Sequence, residues 1–191
     1  LTSDLLKSSH VSAGGVSVRQ KNIDDIKNKL NAFGAYECCT YSFINPNQFD
    51  KLCYPDDAPQ RNAIKLINPL SEEFSIMRTE LVGSMLNVVY TNRSRKNGDS
   101  RLYEIAKTYL PHSLPLTELP DEHDSLCIAY YGKGESFYTI KAAVVEIIGN
   151  YVSDYKLARS MKQYLHPGVS ADIMADGKII GSFGKIHPTV A

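Results

Sequence analysis

An Asp-Gly pair, Asp176-Gly177, separates two runs of alternating strand formers, residues 169–175 and 178–186. That pattern constrains the fold more than any other short-range signal in the chain. Such a pair supplies the two positive-φ residues of a tight hairpin turn, so the flanking runs must be antiparallel neighbours. The other expected elements do not alternate strictly between strand and helix. A doubly wound parallel sheet is therefore disfavoured, and an α+β layer is expected, an antiparallel sheet flanked by helices.

Ser17 and Gln20 have capping-box spacing, ahead of Ile23, Ile26, Leu30 and Phe33 on one helical stripe with Gly34 as the stop. Residues 36–43 are rich in strand formers on both faces, as in a central strand. Asn45-Pro46 breaks it, residues 47–61 read as a helical turn plus a polar loop, and residues 64–67 as a short strand closed by Asn68-Pro69. Thr79 is then placed to cap a helix with Glu80 in its first turn, and Leu81, Met85, Val88 and Val89 recur on one face to about Thr91. A basic turn over 92–98 leads into a strand at 101–110 with Tyr103, Ile105 and Tyr109 on one face. A Pro-punctuated loop at 111–124, a strand at 126–131 and a helix capped by Ser136, carrying Ile140, Val144, Ile147, Ile148 and Tyr151, complete the expected elements.

A chain of 191 residues suits one domain. Residues 1–16, Ser- and Gly-rich, read as a linker or trimmed end, and 17–191 as the domain. No apolar run approaches a membrane span, and no basic-then-apolar leader opens the chain, so a cytoplasmic location is expected. Twenty-one basic residues balance twenty-one acidic ones, so any nucleic-acid contact must be local rather than a bulk-charge effect. Cys38, Cys39, Cys53 and Cys127 contain no Cys-x-x-Cys pair, which argues against zinc and for buried, reduced thiols.

No Gly-rich phosphate loop or Gly-x-Ser-x-Gly elbow is present. Arg78, just before a helix start, is placed to grip either an anion or a neighbouring carboxylate. Arg93, Arg95 and Lys96 form either a phosphate-contacting loop or a solvated connection. Asp121-Glu122-His123-Asp124 has a metal-ligand composition but reads as a solvated turn. His166-Pro167 and His187-Pro188 lack a supporting serine or carboxylate at a recognisable spacing, so they read as turn or surface histidines. No catalytic constellation is complete.

Three segments together resemble the β subunit of bacterial phenylalanyl-tRNA synthetase, in its synthetase-like core. The first is FGAYECCTYSFINP, with Gly34, Glu37, Tyr41 and Ser42 on the family positions. The second is NPLSEEFSIMRTELVGSML with RLYEIAKTYLP, matching at Asn68, Pro69, Met77, Arg78, Thr79, Leu81, Leu102, Glu104, Ile105 and Tyr109. The third is FYTIKAAVVEIIG with LHPGVSA and GSFGKIHP, matching at residues that include Phe137, Lys141, Glu146, His166, Gly168, Gly184 and His187. Thr139, Ala142 and Val169 depart from the family pattern, the last two against a phosphate role for the LHPGVS turn.

The resemblance implies the core fold of class II aminoacyl-tRNA synthetases, without a working active site. Leu110 stands where the catalytic α core carries an ATP-clamping arginine, and a further ATP-binding arginine is expected beyond the HP motif, so the chain is expected to be a C-terminally truncated piece. It implies no cofactor bound by this chain, with ATP and magnesium at the α subunit of an α2β2 ligase that loads phenylalanine onto tRNA(Phe). Partners are then the α subunit, with the face of Tyr36, Glu37, Tyr41 and Phe43 as the candidate contact, and tRNA(Phe), for which the basic residues Arg93, Arg95 and Lys96 read above are the candidate backbone contacts. Arg78, Glu104, His166 and His187 are implied as structural. The other reading open at this stage is an independent ATP-dependent amino-acid-activating enzyme.

Overall fold

A computed structural model describes residues 14–191, so the linker expected over 1–16 lies mostly outside the described residues. Helix α1 (Val18–Ala32) starts where Ser17 accepts the Gln20 N–H. The Gln20 side chain turns to Asp24 instead of back to the cap, so only half of the capping box forms. Gly34, at φ +74°, ends the helix, and the Ala35 N–H bonds back to the Leu30 carbonyl. The buried stripe of α1 packs Leu30 and Ile26 against Tyr103, Ile105, Ile128 and Ile147.

Strands β4 (Ser100–Leu110) and β5 (Asp121–Tyr131) pair antiparallel in unbroken register, from Ser100 opposite Tyr131 to Leu110 opposite Asp121. Residues 121–124, expected in a loop, therefore belong to β5. Their charged side chains sit on an open edge strand, a placement that discourages edge-to-edge pairing, and Asp124 binds Arg19 and Lys107.

The continuous strand expected over 36–43 does not form. Two short strands take its place: β1 (Tyr36–Glu37), parallel to β4, and β2 (Phe43–Ile44), antiparallel to β3 (Ile76–Met77). Between them the backbone leaves the ladder because its polar groups serve a buried ion pair described below. The strand expected at 64–67 reduces to a single bridge from Lys65 to Ile76. Short helix α2 (Gln48–Lys51) folds beneath, and Ile44, Phe49, Leu52, Tyr54, Ile76, Tyr164 and Leu165 form one core cluster.

Helix α3 spans Val82–Ser94 and begins at Leu81 with no side-chain cap. Thr79 does not cap it, because its hydroxyl donates to the Gln60 carbonyl, and Glu80 lies before the first turn, bound to the Tyr54 hydroxyl. Burial has drawn both residues to tertiary partners. Helix α4 (Phe137–Ile148) has the full capping box, with Thr139 in the position that glutamate or glutamine usually fills.

Strands β6 (Lys156–Ala158), β7 (Leu165–Ala175) and β8 (Lys178–Ile186) form a third sheet. The Asp176-Gly177 turn joins β7 to β8 as expected, both residues at positive φ. Exposed β6, only three residues long, carried no readable pattern. Phe137 stacks on Phe183 at 5.3 Å, and α4 covers Ala171 and Ile173. The helix-flanked α+β layer is thus present, but as three small sheets, one holding a parallel pair, instead of one antiparallel sheet.

Candidate functional site

The centre of the molecule is a buried ion pair. Arg78 Nη1 lies 3.1 Å from Glu104 Oε1, and both side chains are almost wholly buried. Strand β4 aims Glu104 at the 38–42 segment, where the Thr40 N–H and hydroxyl donate to the carboxylate. The Arg78 guanidinium also donates to the Lys107 carbonyl through Nε and to the Thr40 hydroxyl through Nη1. A buried pair persists only when such hydrogen bonds offset its desolvation. The partner that Arg78 grips is therefore a carboxylate of this chain.

Beside this pair the surface turns apolar. Tyr36 is 71% exposed, Tyr41 75% and Phe43 38%. Glu37 bonds Lys27. Sequence reasoning missed the continuation of this face across β2–β3. Tyr41 meets Phe74 edge-on at 5.6 Å, and the loop that Phe74 closes carries Ile67 and Leu70 at 101% and 96% exposure. Both aliphatic side chains therefore stand in solvent, on the loop that leads into Phe74. The one available signal was apolar Ile67 and Leu70 flanking a polar Asn-Pro stop.

The basic residues lie at the far end of α3. Lys96 adopts φ +64°, and the Lys96 and Asn97 N–H groups bond the Arg93 and Asn92 carbonyls in the double closure of a Schellman motif. Backbone groups thus cap this end, and Arg93, Arg95 and Lys96 are exposed. Among the described residues none of the three pairs with a carboxylate.

His166 and His187 come together with ring centroids 6.3 Å apart. Each accepts a backbone N–H at Nδ1, from Gly168 and Thr189 respectively, His166 in the irregular start of β7 and His187 at the turn after β8. At the end of β4, Leu110 pairs with Asp121, whose Oδ1 lies 3.3 Å from His112 Nε2. Among the described residues no group of three or more His, Cys, Asp or Glu is arranged to hold a metal. The thiols are not uniformly buried as expected: Cys39 and Cys53 are exposed, while burial pushes Cys127 up to about 12.

Burial also holds Glu80 above the usual carboxylate range, although the Tyr54 hydroxyl on Oε2 opposes the shift, and its Oε1 has no protein partner. The folded chain therefore binds this proton more tightly than the unfolded chain. The stability it contributes is full below the ordinary glutamate value and is lost as pH rises through the folded value. Glu80→Gln should flatten that decline. Urea midpoints measured from pH 4 to 8 check it, and parallel profiles for the two proteins would contradict it.

A family model described as "Phenylalanyl tRNA synthetase beta chain CLM domain" matches residues 4–191. Among curated proteins, the phenylalanine–tRNA ligase β subunit of Clostridium acetobutylicum is 35% identical over 98% of this chain. Those of Clostridium tetani and Syntrophotalea carbinolica are 34% and 31% identical over 92% and 89% of it. The chain spans only 24%, 22% and 22% of the lengths of these three relatives. A match of this extent, on a fold whose centre is the Arg78–Glu104 pair, shows that the chain belongs to the phenylalanyl-tRNA synthetase β-chain family.

Proposed function

We propose that residues 17–191 form a non-catalytic core domain, of class II synthetase type, within a phenylalanine–tRNA ligase β subunit. It supports an α2β2 assembly in the cytoplasm and helps to seat tRNA(Phe), while ATP and magnesium act at the α subunit. The exposed apolar face of Tyr41, Phe43, Phe74, Ile67 and Leu70 carries this reading, because a partner surface is what would cover it. Leu110 opposite Asp121 supports the non-catalytic half: the strand end offers no guanidinium for a triphosphate. The exposed cations Arg93, Arg95 and Lys96 support the tRNA contact.

An independent amino-acid-activating enzyme finds no support among the three relatives named above, each a phenylalanine–tRNA ligase β subunit. ATP–pyrophosphate exchange tests the reading. The chain alone should give no phenylalanine-dependent exchange, and the mixture with its cognate α subunit should give the α-dependent rate. Exchange by the chain alone above a heat-inactivated control would overturn it.

A further inference from the structure

The connection between β5 and α4 meets Asp99, three residues beyond Lys96 at the basic end of α3. The Lys133 N–H donates to Asp99 Oδ1 at 3.0 Å, one residue beyond the Lys96–Gly98 turn. Gly132 sits at φ +116°, and a Cβ there would fall 2.7 Å from the Asp99 Cα, so the two backbones touch. No side chain fits between them. Lys133 is exposed and, like Arg93, Arg95 and Lys96, pairs with no carboxylate among the described residues. Tyr90, 74% exposed, is three residues before Arg93 and shares its helix face.

We propose that these residues form one composite corner that binds RNA backbone. Lys133 is its fourth cation, Tyr90 offers a ring for base stacking, and the Asp99 carboxylate positions Lys133 by holding its N–H. The proposal rests on the tRNA-seating reading and extends it to a second segment of the chain. Four cations on two adjoining turns suit a run of phosphates, and their local grouping answers the zero formal net charge of the chain. Asp99 has an unusual sign in this arrangement. As a bare negative charge it would repel phosphate and its removal would strengthen binding, whereas as a clamp its removal lets Lys133 move away and weakens binding.

Fluorescence anisotropy of a labelled tRNA(Phe) transcript, titrated with the chain at several salt concentrations, separates the possibilities. Lys133→Ala should weaken binding several-fold and lower the slope of log affinity against log salt by about one. Asp99→Ala should weaken binding as well, while Asp99→Asn, which keeps the acceptor and loses the charge, should bind at least as tightly as the unmodified chain. Unchanged affinity and slope for Lys133→Ala, or tighter binding by Asp99→Ala, would overturn the composite corner. If a joint Arg93, Arg95 and Lys96 to Ala variant loses affinity while Lys133→Ala does not, only this inference falls. If neither changes, the tRNA-seating reading falls too. Loss of α-subunit binding with RNA affinity intact would make the corner a protein contact and equally end the proposal.

Discussion

Replacing Arg78 with alanine should destabilise the chain by about 3–5 kcal/mol, because it leaves the Glu104 carboxylate charged, buried and without its cation. A domain of this size has only about 5–15 kcal/mol of total stability, so the variant should be largely unfolded well below the melting temperature of the original. The loss reaches beyond one pair. Arg78 also donates to the Lys107 carbonyl and the Thr40 hydroxyl, so β4, the 38–42 segment and the approach to α3 all lose an anchor. Removing both charges, as Arg78→Met with Glu104→Leu, should recover part of the stability, since neither charge is then stranded. Equilibrium urea denaturation of the three proteins checks this. A single variant within 1 kcal/mol of the original would show that the pair does not organise the core.

The second large effect concerns association. Ile67→Asp and Leu70→Asp should each weaken binding to the α subunit by about thirty-fold or more, the size expected where a side chain fills a central interface pocket. Folding stability should stay nearly constant, because both side chains are already in solvent. Phe74→Ala should do less and should also disturb the chain itself, through its edge contact with Tyr41. Sedimentation velocity of mixed subunits reads the association directly. Unaltered heterotetramer with both aspartate variants would mean that another surface makes the contact.

The sequence made the long-period signals legible. The amphipathic stripe of α1, the Ser136 cap and the Asp-Gly hairpin were readable because each rests on local chemistry that tertiary contacts leave in place. Residues 36–43 misled for the opposite reason. Strand propensity was high throughout, but Thr40 gave its N–H and hydroxyl to Glu104, and the ladder broke there. Thr79 had a cap's chemistry and the Gln60 carbonyl claimed its hydroxyl instead. Residues 121–124 looked like a loop because a charged run resembles one, yet on an edge strand charge is compatible with pairing on one side.

At the site, Arg78 and Glu104 each stood out in the sequence as family-matching residues, but their pairing across 26 residues, between the end of β3 and β4, did not. The exposed pair Ile67 and Leu70 was likewise hidden, since a short apolar run is ambiguous between core and surface until the fold places it. The clamp between Asp99 and Lys133 joins positions 34 residues apart in the chain and left no spacing to read.

Photo-crosslinking from position 70 reaches the centre of this account. With a benzophenone amino acid in place of Leu70, irradiation of the chain with its cognate α subunit should yield a covalent α–β adduct, and the same probe at exposed Ile179, on β8, should not. Efficient adducts from position 179 and none from position 70 would contradict the assignment of the Tyr41–Leu70 face as the surface through which this domain holds its partner.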